Sequence, residues 1–215
     1  MDVVIVGAGG HGKVVLEILR AAGLHRPVGF LDADPSLAGT SVNGVPVLGA
    51  INFIPRLKQQ KVKGAIVAIG DNRVRQAYAK TLAEHGLELV NAIHPSAVVS
   101  PTAKVGHDVV IAAGAIISAD VTLADSVICN TGCIVDHECE IGEAAHVAPA
   151  VALAGRVRVG PMAFIGIGAK VIPCLSVGEG SIVGAGAVVI RDVPPHVTVV
   201  GTPARAIRGR TSPQS

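Results

Sequence analysis

The stretch VGHDVVIAAGAIISADVTLADSVICNTGCIVDHECEIGEAAHV, residues 105–147, places a core residue at every sixth position. Followed in both directions, the beat runs from Ile93 to Val189: seventeen positions, sixteen of them Val, Ile or Leu and one Cys129. Two places earlier in each hexad stands a second small or aliphatic residue, such as Ala115, Val121, Val127 or Val151. Gly or Ala often follows the main one, as at Gly106, Ala112 and Gly142. A strand turns alternate side chains to one side, so two inward residues and a small follower describe a short strand and a corner. Three such sides close a triangular coil of about 18 residues, and about five coils fit between Ile93 and Ile190.

This is the signature of a hexapeptide parallel β-helix. It also gives a reading of the cysteines, three of which fall within eleven residues and could suggest a metal cluster. Cys129 takes a main slot, and Cys133 and Cys139 take the slots two earlier, so all three are expected inside as small hydrophobes, with no metal.

Before the beat begins, strand and helix alternate. Val3–Val6 reads as a strand, Lys13–Ala21 as a helix ended by Gly23, and Val28–Asp32 as a second strand. A turn-rich stretch from Asp34 to Val47, a short helix near Pro55–Gln60 and a strand Ala65–Ile69 follow. GDNR, residues 70–73, opens another helix that Asp71 or Asn72 can cap, running to about Glu84 before Gly86. Such alternation predicts a small parallel sheet flanked by helices. The expected organisation is α/β plus all-β: a Rossmann-like domain over 1–92 and a β-helix with a short tail over 93–215.

Composition agrees with this division. Half of the residues are hydrophobic but only 2% are aromatic, with 26 Gly and no Trp, so the core must be built from small, regular layers. Polar residues or Gly interrupt every apolar run well before the roughly 18 residues of a membrane span. Met1 leads straight into the first strand, so no signal peptide and a cytoplasmic location are expected. A net charge of +2 is too small to point to nucleic acid.

GAGGHGKVV, AIGDNR, NAIHPSAVVSP, VDHECEIGEAAHVAP, the hexads and GTPAR together resemble the left-handed β-helix acyltransferases that use acetyl-CoA. More narrowly, the chain is similar to the subfamily whose Rossmann-like domain binds a nucleotide-linked amino sugar, with UDP-4-amino-sugar and GDP-perosamine N-acetyltransferases and sialic acid O-acetyltransferase relatives. The resemblance covers nearly the whole chain. It implies the left hand of the coil, a homotrimer with sites between neighbouring helices, and a setting in surface-glycan synthesis.

Gly7, Gly9 and Gly12 fit G-x-G-x-x-G after a strand, and Asp32 stands 20 residues past Gly12, as in a dinucleotide enzyme. After residue 92, however, only β-helix remains, and the first domain holds about half a dinucleotide. A sugar nucleotide supplies the diphosphate such a loop accepts: Gly7, Gly9 and Gly10 let backbone approach it, and the amides opening the next helix face it. Asp32 and Asp34 are then expected near ribose or base, and His11 near phosphates or sugar.

Acetyl transfer from a thioester to an amine needs a base, a donor for the oxyanion and a leaving thiolate. By phase, Val135 points inward, so Asp136, His137 and Glu138 fall on a corner, and His146, just before inward Val147, also faces out. The resemblance implies that His137 is the general base, Glu138 fixes its ring, and His146 assists near the acetyl group. Asp136 is an equal candidate for the orienting carboxylate. Gly155, one coil after His137, stacks on the same corner; it leaves its amide open to an acetyl oxygen or simply turns the coil. CoA needs open backbone and cations: the resemblance implies backbone contacts at Ala185 and Gly186 and an oxyanion contact near Gly155, while Lys170, Arg205, Arg208 and Arg210 either meet the CoA phosphates or are solvated tail charges. Because Cys139 points inward, direct attack without an acetyl-enzyme is expected. Two other readings remain at this stage: O-acetylation of a sialic acid-type hydroxyl, and a non-catalytic sugar-nucleotide-binding protein.

Overall fold

The computed structural model describes residues 1–207, so Arg208 and Arg210 lie outside the described residues. The first unit runs β1 (Asp2–Val6), α1 (Gly10–Ala22), β2 (Arg26–Leu31), β3 (Ser41–Val42), β4 (Val45–Gly49), α2 (Ile54–Gln59), β5 (Gly64–Val67), α3 (Asn72–Glu84) and β6 (Glu88–Leu89). Val3, Val4 and Ile5 are fully buried because helices cover both faces of a parallel sheet. The sheet order is β3-β4-β2-β1-β5-β6, parallel except for the β3–β4 hairpin. The chain moves outward from β1 to β2, then crosses to β5 on the other side of β1. The crevice beyond the carboxyl ends of β1 and β5 is therefore a topological switch point, where open α/β sheets bind ligands. The glycine loop follows β1 and the GDNR turn follows β5, so both border that crevice. Asp71, rather than Asn72, caps α3, its Oδ1 accepting from the Val74 amide at 2.9 Å.

Two expectations need correction. The first helix begins at Gly10, three residues before Lys13, since its first turn is glycine-rich. The stretch 34–47 is not all turn: it holds a short 3-10 segment (Pro35–Leu37) and the β3–β4 hairpin, closed through Asn43 and Gly44 at φ 47° and 81°.

From Ala92 the chain coils into a three-sided prism. The first face stacks Ala92–Ile93, Val110–Ile111, Ile128–Cys129, His146–Val147, Phe164–Ile165 and Ile182–Val183, each paired in parallel with the rung 18 residues on. The second stacks Val98–Val99 through Ile134–Val135 to Val188–Val189, and the third Lys104–Val105 through Glu140–Ile141 to Ser176–Val177. A strand Thr198–Val200 continues the first face, and Arg205–Ile207 returns antiparallel beside it. The hexad residues fill the interior as one continuous cluster. Cys129, Cys133 and Cys139 are fully buried there, whereas Cys174 is exposed.

Corners repeat as strictly as strands. From Asp108 to Gly186 one residue in each takes the left-handed conformation: Asp120, Glu138, Arg156 and Cys174, at φ 58–64°, mark one edge at 18-residue spacing. This conformation costs an L-residue roughly 1–2 kcal/mol, and the backbone bonds of neighbouring coils hold it.

The outward columns of the three faces differ. On the first face Val110, Ala112 and Ile128 are buried in one cluster with Val15, Leu16 and Ile18 of α1, so the first unit sits on this face. On the second, Val98, Ile116 and Ile134 stand outward and exposed. On the third, Lys104, Thr122, Glu140, Arg158 and Ser176 form a polar column.

Arg75 of α3 fastens the two units and is fully buried. Its Nε donates to Ser126 O at 2.8 Å and Nη2 to Ala144 O at 2.7 Å, while Nη1 donates to Ile69 O at 2.9 Å. Nearby, Asp108 accepts from the Val67 amide at 2.7 Å and from the Ser126 hydroxyl at 2.8 Å. Burial pushes its carboxyl up to about 7 against these bonds and the Arg75 charge.

Candidate active site

The crevice at the switch point is a pocket of about 360 Å³ lined by Gly7, Gly9, Gly10, His11, Asp32 and Tyr78, among others. Gly7 needs its left-handed backbone (φ 105°), and a Cβ there would lie 2.7 Å from Ala68 O. Gly9 and Gly10 face open space, where a Cβ would meet nothing within 4 Å. Gly9 caps α1 without any side-chain bond, and no acidic residue occupies the first turn. The opening amides of α1 are therefore free for an anion, in the positive field of the helix.

Asp32 is at the pocket, but both of its oxygens hold backbone. Oδ2 accepts from the Ala8 amide at 2.7 Å and Oδ1 from the Asp34 amide at 2.9 Å, so its first task is to shape the glycine loop. Asp34 does not line this pocket; its Oδ1 caps the next turn through the Ser36 amide at 2.9 Å and hydroxyl at 2.7 Å.

His11 and His146 meet across the seam between the two units, their ring centroids 6.5 Å apart. His146 points away from the prism interior, as its phase predicts, and the first unit covers it there, leaving it 8% exposed. Phe164 packs edge-on at 5.2 Å, and Asn130 Nδ2 donates to His146 Nε2 at 3.2 Å. Burial, and then the Arg75 charge, hold His11 and His146 down to about 4, so both rings are neutral at neutral pH. Below them a second cleft of about 550 Å³ runs between Gly70–Arg73 and the first face at Met162, Phe164 and Ile182. Gly70 lines both cavities, so the two adjoin at that residue.

His137 lies elsewhere, on the corner between the second and third faces, half exposed. Its Nδ1 is 3.0 Å from Glu138 Oε2, and that same oxygen accepts from Arg156 Nε at 2.9 Å. Of the two candidate orienting carboxylates, Glu138 is thus the one on the ring; Asp136 Oδ1 accepts the backbone amide of His137 at 2.8 Å. The Arg156 bond, and then the His137 bond, hold the Glu138 carboxyl below the usual carboxylate range. An ionised partner on Nδ1 places the ring proton there and leaves the Nε2 lone pair free to accept another.

Gly155 stacks on that corner one coil later, as its spacing requires. The space freed by its missing Cβ is filled, however, and not open: a Cβ would lie 2.5 Å from both Cε1 and Nε2 of His137. The Gly155 amide has no acceptor among the described residues. The Nε2 edge of the His137 ring therefore packs against Gly155. Cys139, two residues from His137, turns its thiol into the interior, where burial pushes it up to about 11.

The residues expected at the cofactor frame the second face. Lys170 stands exposed on it, two registers beyond Ile134 in the same column. Ala185 and Gly186 turn the corner between first and second faces, Gly186 at φ 67° with open space at its Cβ position. Arg205 is exposed on the final antiparallel strand, its Nη1 donating to Ala204 O at 2.9 Å.

Residues 2–82 match the model of the PglD N-terminal domain. The chain is 33% identical over 216 residues to the GDP-perosamine N-acetyltransferase of Escherichia coli O157:H7, covering 95% of each. The chain belongs to this family. Among solved structures, the family's PerB from Caulobacter crescentus, in complex with CoA and GDP-perosamine, superposes with a TM-score of 0.93 at 50% identity, over 97% of this chain and 98% of that one. The acetyltransferase domain of PglB from Neisseria gonorrhoeae superposes with a TM-score of 0.89 at 38% identity, over 96% of this chain and 99% of that one. Versions of the Caulobacter enzyme with one histidine replaced by asparagine or alanine share the fold, with a TM-score of 0.94 each at 49% identity.

For this member of the N-acetyltransferase family, sequence reasoning missed Arg75, Asn72, Tyr78 and Arg156. Asn72 Nδ2 reaches Met162 O at 2.9 Å and ties the GDNR turn to the first face. Tyr78 reaches the pocket from the same side of α3 as Val74, a spacing of four that was legible. Arg75 reaches Ser126 and Ala144, and Arg156 reaches Glu138, each 18 or more residues away. For Arg156 the 18-residue coil gives the address of Glu138.

Proposed function

We propose that the protein is an acetyl-CoA-dependent N-acetyltransferase acting on the sugar amine of a nucleotide-linked amino-deoxysugar of the GDP-perosamine type, working as a homotrimer in the cytoplasm. The observation that carries the reading is the His137 corner: Nδ1 is held by an ionised Glu138, and the Nε2 edge of the ring fills the space left by the missing Cβ of Gly155, whose amide has no acceptor among the described residues. The sugar nitrogen attacks the thioester carbon and its proton passes to His137 Nε2. The carbonyl oxygen, now negative, takes the Gly155 amide proton as a hydrogen bond. Collapse expels the CoA thiolate, to which the imidazolium returns the proton. No acetyl-enzyme is needed.

Within this reading residues 1–92 hold the nucleotide. The diphosphate lies on Gly9, Gly10 and the start of α1, with Asp32 and Tyr78 bordering the nucleoside. The sugar passes His11 and His146 into the second cleft. CoA lies along the second face, from Gly155 past Lys170 towards Ala185, Gly186 and Arg205.

A single chain cannot complete such a site. The nucleotide pocket stands over the first face, and His137 occupies the corner opposite that face in the triangle. A second copy whose corner enters the cleft supplies the missing base. The second face supports the same association: Val98, Ile116 and Ile134 are 62%, 37% and 41% exposed in one column, while the third face is polar. Contact between unlike surfaces closes into a ring when each copy is rotated by a third of a turn.

Light scattering gives the mass, and thiol release from acetyl-CoA gives the activity with GDP-, UDP- and dTDP-linked amino sugars and with sialic acid derivatives. The expected result is a trimer that is most active with the GDP amino sugar and at least about 10²-fold weaker as His137→Asn. Release with sialic acid derivatives alone, or a His137→Asn variant within about tenfold of the parent, overturns the reading.

A further inference from the structure

We propose that Arg156 is a positioning residue for the base: from one coil above, its guanidinium fixes both the place and the charge balance of the carboxylate that orients His137. The inference rests on the reading of His137 as the base and deepens it.

Arg156 is tied to the base dipeptide twice. Its backbone amide donates to His137 O at 2.9 Å, and its Nε donates to Glu138 Oε2 at 2.9 Å. The latter oxygen is the one His137 Nδ1 meets at 3.0 Å, so ring, carboxylate and guanidinium share a single atom. Both Glu138 and Arg156 are held in the left-handed conformation, at φ 58° and 61°, and their side chains spring from equivalent positions of successive coils.

That arrangement matters because the corner is wet. An exposed Glu side chain rotates freely, and one bond to a half-exposed ring does not hold it. A second donor fixed by an adjacent coil does. Ion pairs at such exposed sites add little to stability, so stability alone gives no reason for this geometry.

The charges facing His137 are few. Glu138 and Asp136 share its corner, Asp120 stands one coil below, and Arg156 one coil above. Beside them on the third face Glu140 and Arg158 pair with each other at 3.5 Å. Cys174, above Arg156, has its backbone amide on Gly155 O at 3.0 Å. Arg156 is therefore the cation that offsets Glu138. Without it, Glu138 stabilises the imidazolium unopposed, and the ring releases its proton at higher pH.

The test compares the parent with Arg156→Gln, which keeps a donor but loses the charge, and Arg156→Lys, which keeps the charge. The His137 ring is followed by NMR titration in the substrate-free protein, its signal assigned by its loss in His137→Asn. Alongside, kcat and KM are measured across pH. Arg156→Gln is expected to raise the titration midpoint by about half a pH unit, the effect of removing a like charge about 6 Å away across a solvated corner. The acid limb of kcat/KM moves with it, and kcat falls several-fold while KM for the nucleotide sugar stays. Arg156→Lys restores the parent midpoint. An unchanged midpoint in Arg156→Gln, or a rate loss equal at every pH, overturns the inference. Because the midpoint is read without turnover, it still decides the Arg156 link if His137→Asn proves active and the base reading falls.

Discussion

A methyl group added at Gly155 should separate catalysis from folding. In Gly155→Ala the new carbon would sit 2.5 Å from Cε1 and Nε2 of His137 and 3.2 Å from Cδ2. Ordinary contact begins near 3.4 Å, so the ring must retreat by about 1 Å, while its far nitrogen stays tethered to Glu138. A reacting group displaced by that distance loses about 10²-fold in rate, or about 2.7 kcal/mol of transition-state stabilisation. Folding loses nothing comparable. Gly155 is not among the residues with left-handed backbone, so its backbone accepts alanine, which restricts the unfolded chain, a gain of about 0.4–1 kcal/mol against the cost of moving one half-exposed ring. Thiol-release kinetics and a thermal melt on the same sample therefore give a kcat/KM about 100-fold down with a melting temperature equal to or above the parent's. Combining the change with His137→Asn adds little further loss, because both act on one ring. A Gly155→Ala enzyme within about threefold of the parent refutes the stacked-ring geometry and the role built on it.

Other consequences are more local. Arg75→Met leaves the Ser126, Ala144 and Ile69 carbonyls without their buried donor and Asp108 without its nearby cation. It should cost about 3–5 kcal/mol, read as a drop of about 10 °C in the melting temperature. Acid dependence follows from the seam. His11 and His146, held down to about 4 by burial, take up protons only on unfolding between pH 6.5 and 4, so stability falls as pH falls through that window. Asp108, pushed up to about 7 by burial, binds its proton more tightly when folded and opposes this trend between its ordinary 3.8 and 7. Asp108→Asn should therefore steepen the loss of melting temperature with acid; equal slopes would contradict the assignment. A disulfide reagent should titrate Cys174 alone in the native protein, with Cys129, Cys133 and Cys139 reacting only after unfolding.

The β-helix was legible because a period of six belongs neither to an isolated strand nor to a helix, and because its inward residues must be small and apolar on every side. Phase also placed His137, Glu138 and Gly155 on one corner. Phase placed His146 outward but could not say which face the first unit covers, since all three obey the same inward rule. The outward residues held that information: Ala92, Val110 and Ile128 are apolar where the third face carries Lys104, Thr122 and Glu140. In the first unit, glycine's poor helix propensity hid the opening turn of α1, and the Asn43-Gly44 hairpin signal was lost in a turn-rich stretch. Arg75 and Asp108 gave no local signal at all. Each is a charged residue buried by contacts more than 15 residues away in the chain, and hydrophobic patterning places such residues on the surface.

The claim on which the rest depends is that each site takes its nucleotide pocket from one subunit and its base from another. Mixed assemblies test it. His137→Asn lacks the base but keeps the pocket; Gly10→Phe keeps the base but fills the open space at the start of α1. Each variant alone should be inactive, and unfolding and refolding them together at equal ratio should return about one quarter of parental activity, the share of neighbouring pairs that combine an intact pocket with an intact corner. Activity no greater than the sum of the separate variants, in assemblies shown to contain both, would place pocket and base in the same chain and contradict the account.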